Sequence, residues 1–255
     1  MFDRHIHVTL PGFGCDEFAR RAAAPYSDWM SEDSPSVNEI IVHGIVVGAF
    51  QENCWVIGNR RSGEAICVDP GDEPHEILAM ARDMGVAIKY IANSHAHIDH
   101  ILGVGPVREA TNAKFLLHPG DLEIARSTAS SARAWMGAEI PNPPEPDAFL
   151  ADADEIDVDG LKLVVLHTPG HTPGSVSFYA NGVLFAGDTL FQGSIGRTDL
   201  PGGDERLEMS SIIDRLLTLP DETIVLPGHM AQTTIGQERQ RNPFVRMELA
   251  RRAGA

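Results

Sequence analysis

The sequence predicts an α/β chain folded as a four-layer αβ/βα sandwich, and three observations carry that expectation. Strand and helix signals alternate through two halves, and each half opens as an antiparallel meander before a helix and a further strand. With 43% apolar content, 255 residues suffice to bury one large core. Residues 39–255 are read as a single domain, and residues 1–38 as an N-terminal extension of unassigned role.

In the first half, residues 40–47, 54–58 and 65–68 read as strands from their β-branched enrichment, punctuated by Gly48 and by Arg61-Ser62-Gly63. Asp72 is expected to cap a helix in which Ile77, Met80, Ala81 and Met84 recur at helical spacing, and Gly85 to end it. The apolar run 88–92 follows as a strand. In the second half, residues 161–166, 176–179 and 183–186 read as strands. Asp204 then caps a helix with Leu207, Ile212, Leu216 and Leu219 on or near one face. Strand 223–226 and a basic C-terminal helix close the chain.

Two segments fall outside this plan. Residues 1–38 hold short polar pieces, a helix signal near 16–24, and His5 and His7, whose HxH spacing lacks companion ligands. A surface arm or a homodimer contact is preferred over a substrate lid for this stretch. Residues 127–150 combine Trp135 and Met136 with a stiff Pro141-Asn142-Pro143-Pro144-Glu145-Pro146 run. This segment either shapes access to a site or packs Trp135 and Met136 against a helix.

Chemistry concentrates in Ser94-His95-Ala96-His97-Ile98-Asp99-His100, an HxHxDH cluster directly behind the 88–92 strand. Imidazoles and a carboxylate at this spacing cannot all point one way, so one short loop can serve two metal ions. His171, Asp188 and His229 each stand at or just beyond a further strand-like segment. Strand ends converging on one sheet edge are where α/β proteins build sites. His118, ending KFLL, has ring nitrogens suited to backbone groups, and His43, His75 and His167 lack partner ligands in sequence.

The motifs SHAHIDH, PGHTPGSVSF, AGDTLFQGSIGRTDLPGG, LPGHM and TTIGQERQRNPF together resemble the metallo-β-lactamase superfamily, and within it the single-domain glyoxalase II-like (hydroxyacylglutathione hydrolase-like) hydrolases. The likeness spans about residues 40 to 245 and implies the same αβ/βα sandwich. It implies that one metal takes His95, His97 and His171, that a second takes Asp99, His100 and His229, and that Asp188 bridges them. An aspartate at 188 favours the glyoxalase, lactonase and phosphodiesterase branches over most zinc β-lactamases. Imidazole and carboxylate ligands suit two divalent ions, zinc first, with iron or manganese also compatible. A bridging hydroxide would attack a thioester or activated ester, with Asp99 as the catalytic group that orients it and takes its proton. The alternatives are a persulfide dioxygenase using one iron on His95, His171 and Asp188, a lactonase or promiscuous β-lactamase, and a metal-bearing scaffold without catalysis.

Charge and cysteine usage narrow the partners. A net charge of −16 argues against a nucleic-acid-binding member, which would need a basic surface. Three irregularly spaced cysteines (Cys15, Cys54, Cys67) and no apolar leader or span predict a cytoplasmic protein without membrane attachment. The expected partner is a small-molecule substrate, such as a glutathione thioester. The C-terminal helical domain that supplies glutathione-binding basic residues in two-domain relatives has no counterpart before Ala255. Arg197 is then the candidate substrate contact, competing with an ion pair to Asp199, and Arg239 and Arg241 are weaker ones.

Overall fold

The computed structural model describes residues 4–8, 10 and 39–254. Cys15 and the helix expected near 16–24 lie outside the described residues. The first sheet runs in chain order: β1 (His5–His7), β2 (Ile40–Val47), β3 (Glu52–Asn59), β4 (Glu64–Val68), β5 (Ala87–Ala92), β6 (Lys114–Leu117) and β7 (Ala148–Phe149). Its β1–β4 part is an antiparallel meander, and β4 to β7 are parallel. The extension is thus partly structural, because β1 adds an edge strand with His7 opposite His43.

The second sheet contains β8 (Glu155–Val158), β9 (Leu161–His167), β10 (Val176–Ala180), β11 (Val183–Gly187), β14 (Ile224–Pro227) and β15 (Thr233–Thr234), in the order β15-β14-β11-β10-β9-β8. Between β11 and β14 lie a small hairpin, β12 (Leu190–Phe191) with β13 (Ser194–Ile195), and a helix. Val42, Trp55, Ile57, Val165, Phe178 and Phe185 fill the space between the two sheets.

Helices cover both outer faces. Against the first sheet lie α1 (Pro74–Asp83), α2 (Ile98–Ile101), α3 (Val104–Thr111) and α4 (Leu122–Arg126), with Ile77, Met80, Val107 and Phe115 in the seam, and α5 (Thr128–Met136) packs on α2 and α4. Against the second lie α6 (Glu205–Asp214), α7 (Ile235–Arg241) and α8 (Pro243–Arg252), around Ile212, Val225, Ile235 and Val245. Helix, sheet, sheet, helix is the expected four-layer order. Burying an apolar stripe on each sheet face is what makes that order stable.

Local differences from the sequence reading have local causes. The N-cap of α1 is Glu73, not Asp72, because Pro74 occupies the first turn; Asp72 instead accepts the Glu73 N–H at 2.7 Å. Glu73 reaches back to Gly48 N and Arg4. Gly85 ends α1 at φ +73°, as read. Asp204 does cap α6, accepting from Arg206 N and Leu207 N at 2.9 and 3.0 Å. Leu207, however, is 47% exposed, and Leu216 and Leu219 pack from beyond the helix end. The C-terminal helix is two helices, because Asn242 caps a new one at Pro243. Strand β3 extends past 54–58 because its polar ends bond to other segments: Asn53 Nδ2 donates to Pro227 O and Met230 O, and Asn59 Nδ2 to Asp159 O.

Candidate metal centre

Four chain segments deliver side chains to one sheet edge. Strand β5 ends in the 93–97 turn, which the buried Asn93 closes by donating from Nδ2 to His100 O at 2.7 Å. His171 sits in the β9–β10 connection, Asp188 directly follows β11, and His229 follows β14. Strands β11 and β14 are parallel, so Asp188 and His229 leave the sheet at the same end. Gly228 is required beside them, since a Cβ there would collide with Asp188 Oδ1 and His100 Cε1.

All seven predicted residues meet, in two groups. His97 Nδ1 lies 2.8 Å from His171 Nε2, which lies 3.2 Å from His95 Nε2. On the other side, His229 Nε2 is 3.2 Å from Asp99 Oδ2, and His100 Nε2 is 4.0 Å from that oxygen. Asp188 spans both, with Oδ1 3.3 Å from His100 Nε2 and Oδ2 3.7 and 3.6 Å from His171 Nε2 and His229 Nε2. Each group contains three ligand-type atoms close enough to hold a cation. The buried His100 Nε2 and Asp188 Oδ1 make no hydrogen bond, which is the environment a cation would satisfy.

The outer ring nitrogens fix which lone pairs face inward. His171 Nδ1–H donates to Arg197 O at 2.7 Å, so its Nε2 is left as an acceptor. His229 Nδ1 faces Gln51 O at 3.3 Å in the same way. His95 Nδ1 donates to Ser94 Oγ, whose own hydrogen goes to Asp69 Oδ2 at 2.6 Å. His100 Nδ1 lies 3.1 Å from Asp69 Oδ2. Such partners orient a metal-ligating imidazole and raise its basicity. Burial drives the His95 ring well below its ordinary pKa, and pushes His97 down to about 4. Burial alone would raise Asp188, but the rings of His100, His171 and His229 outweigh it and hold the carboxyl low. Burial would lower His100 and His229 as well, but the carboxylates of Asp188 and Asp99 outweigh it and raise both rings. Low-pKa imidazoles thus stand on the His95 side of an ionised Asp188 and carboxylate-paired ones on the other.

Three supporting carboxylates were missed in the sequence. Asp69 closes the apolar run 65–68 just as Asp188 closes 183–187, so the same signal was available. Asp121 accepts from Ala96 N (2.9 Å), Thr172 Oγ1 (2.8 Å) and Gly174 N (2.7 Å), tying the His95 and His171 loops together. Glu208, buried in α6, accepts from His171 N at 2.8 Å. Nothing local marks these last two.

Other candidates fall elsewhere. Arg197 borders the cavity, but its guanidinium forks onto Asp199 at 2.7 and 2.8 Å. Arg239 is engaged by Leu217 O and Asp221. His118 Nδ1 accepts from Gly120 N, and its ring stacks on His167 at 4.2 Å. Residues 128–136 form a helix, yet Trp135 is 58% exposed and lines a cavity of about 600 Å³ above the cluster. Among the described residues, no helix is long and apolar enough to cross a membrane.

A histidine and aspartate cluster that could hold two cations, at the edge of an αβ/βα sandwich, defines a class of metal-dependent proteins. The metallo-β-lactamase superfamily model matches residues 47–229, and the chain belongs to that superfamily. It is 36% identical over 210 residues to hydroxyacylglutathione hydrolase GloC of Haemophilus influenzae, covering 79% of this chain and 96% of GloC. It is 31% identical to mouse mitochondrial persulfide dioxygenase ETHE1, covering 74% and 69%. Among solved structures, BLEG-1 B3 metallo-β-lactamase aligns at TM-score 0.75 with 37% identity (80% of this chain, 99% of that one). TTHA1623 in a di-iron-bound form aligns at 0.71 with 41% identity (79% and 98%).

Proposed function

We propose that the protein is a dinuclear metallohydrolase that cleaves a thioester or activated ester, the reaction class of glyoxalase II. The observation that carries this reading is the pair of three-residue groups joined by Asp188, with inner ring nitrogens aimed at common points. His95, His97 and His171 would hold one ion, Asp99, His100 and His229 the other, and Asp188 both. Zinc, iron and manganese all suit these donors. When bound, the ions would supply an acidified water nucleophile and a Lewis acid for the carbonyl oxygen.

The chain's own residues then determine which bonds break readily. Asp99 faces the cavity beside His229 and is placed to orient the nucleophile and receive its proton. Among the described lining residues no lysine, tyrosine or cysteine stands ready to protonate a leaving group. A thiolate departs without such help, because a free thiol has a pKa of about 8.5, whereas an amide nitrogen does not. Rates should therefore fall from thioester to alkyl lactone to unstrained amide, with β-lactams lifted by ring strain.

A second reading, a mononuclear iron persulfide dioxygenase on His95, His171 and Asp188, is favoured by the mouse relative. One experiment separates the two: metal content per chain, measured with oxygen uptake and with turnover of thioesters, lactones and β-lactams. Two metals with oxygen-independent thioester cleavage is the expected result. About one iron with oxygen consumption on a persulfide would replace the hydrolase reading.

A further inference from the structure

The cavity above the cluster has a polar floor and apolar walls. Ile124 and Trp135 come from α4 and α5, Phe50 from the β2–β3 turn, Leu200 from the segment before α6, and Met230 from the turn after His229. Phe50, Trp135 and Met230 are 41%, 58% and 56% exposed, although each borders the same opening. Large apolar side chains from separate segments, left facing water around one cavity, mark a surface that a ligand covers.

Basic side chains are scarce on the described walls of that cavity. Apart from the histidines of the cluster, Arg197 is the one basic side chain among the described lining residues, and Asp199 already neutralises it. Two of the lining hydroxyls serve the helices, with Ser127 Oγ donating to Ile124 O and Thr128 Oγ1 to Ala125 O. Apart from metal ions on the floor, the carboxylates of a glutathione half would meet no unpaired cationic side chain among the described lining residues, and desolvating an unpaired carboxylate is costly.

We infer that the substrate is a thioester whose acyl group is apolar and uncharged, carried on a thiol half without carboxylates. This assignment rests on the thioesterase reading for its reaction but on the walls for its specificity. A cavity of about 600 Å³ accommodates a medium-length acyl chain together with a compact thiol. Trp135 is the wall residue with the largest apolar face and is assigned as the main contact for the chain.

Two measurements on the metal-replete protein test it. Across acetyl, butyryl and hexanoyl thioesters of N-acetylcysteamine, kcat/KM should climb about three- to fourfold per methylene, as expected for burial of each group. The hexanoyl-to-acetyl ratio should shrink at least severalfold in Trp135→Ala, while circular dichroism reports an intact fold. Independently of turnover, calorimetry should show the inert thioether S-hexyl-N-acetylcysteamine binding at least tenfold more tightly than S-hexylglutathione. A flat chain-length profile, or tighter binding of the glutathione compound, overturns the assignment. If no thioester is cleaved but the neutral thioether binds as expected, the thioesterase reading fails and the apolar specificity stands. Efficient cleavage of glutathione thioesters over their neutral counterparts has the opposite meaning.

Discussion

The floor and the rim of the cavity are built on opposite principles. On the floor, His95, His100, His171 and His229 each have the outer nitrogen engaged by a named oxygen, and Asp69 and Asp121 anchor the loops that carry them. On the rim, Phe50, Trp135 and Met230 stand in solvent and contribute surface rather than hydrogen bonds. Chemistry that depends on a few tenths of an ångström needs the first construction. Selection of an apolar group needs only area, so a rim can change side chains while the floor keeps its reaction.

Mutations taken from floor to rim test whether the two constructions act separately. The largest loss is expected for Asp188→Ala, which removes the carboxylate that spans the two ligand groups. Second-metal occupancy should collapse and turnover fall on the order of a thousandfold or more with the fold retained. Two tightly held metals at normal rates in that variant would sink the bridging role. Next comes Asp69→Asn, which keeps the shape but withdraws the charge that holds His100 and, through Ser94, His95. A loss of metal affinity of about 10- to 100-fold, read by chelator competition, is expected; an unchanged affinity would mean the floor does not depend on its backing. The smallest effect belongs to the rim. Arg197→Gln breaks an exposed pair with Asp199 and should change kcat/KM by no more than about fivefold. A much larger loss confined to carboxylate-bearing thioesters would instead make Arg197 a substrate contact.

Legibility in the sequence follows the same division. The four layers were readable because apolar periodicity reports which face each strand and helix buries, and the seven cluster residues because His and Asp at strand ends are rare and chemically specific. Asp69 carried the strand-end signal but lacked a histidine beside it to draw attention. Asp121 and Glu208 were invisible, since each acts on a backbone N–H dozens of residues away. Trp135 stayed ambiguous because an aromatic on a helix reads the same whether its face meets the core or the solvent. Leu207 shows the same ambiguity resolved the other way, an apolar residue counted toward the core that lies outside it.

Asp121 belongs to the first half of the chain, while Thr172 and Gly174 belong to the second, and one carboxylate clasps both together with Ala96. The two halves are therefore fastened at the site by the polypeptide itself. Loosening that clasp would free the His95 and His171 loops at once, so both ligand-bearing loops share one point of failure.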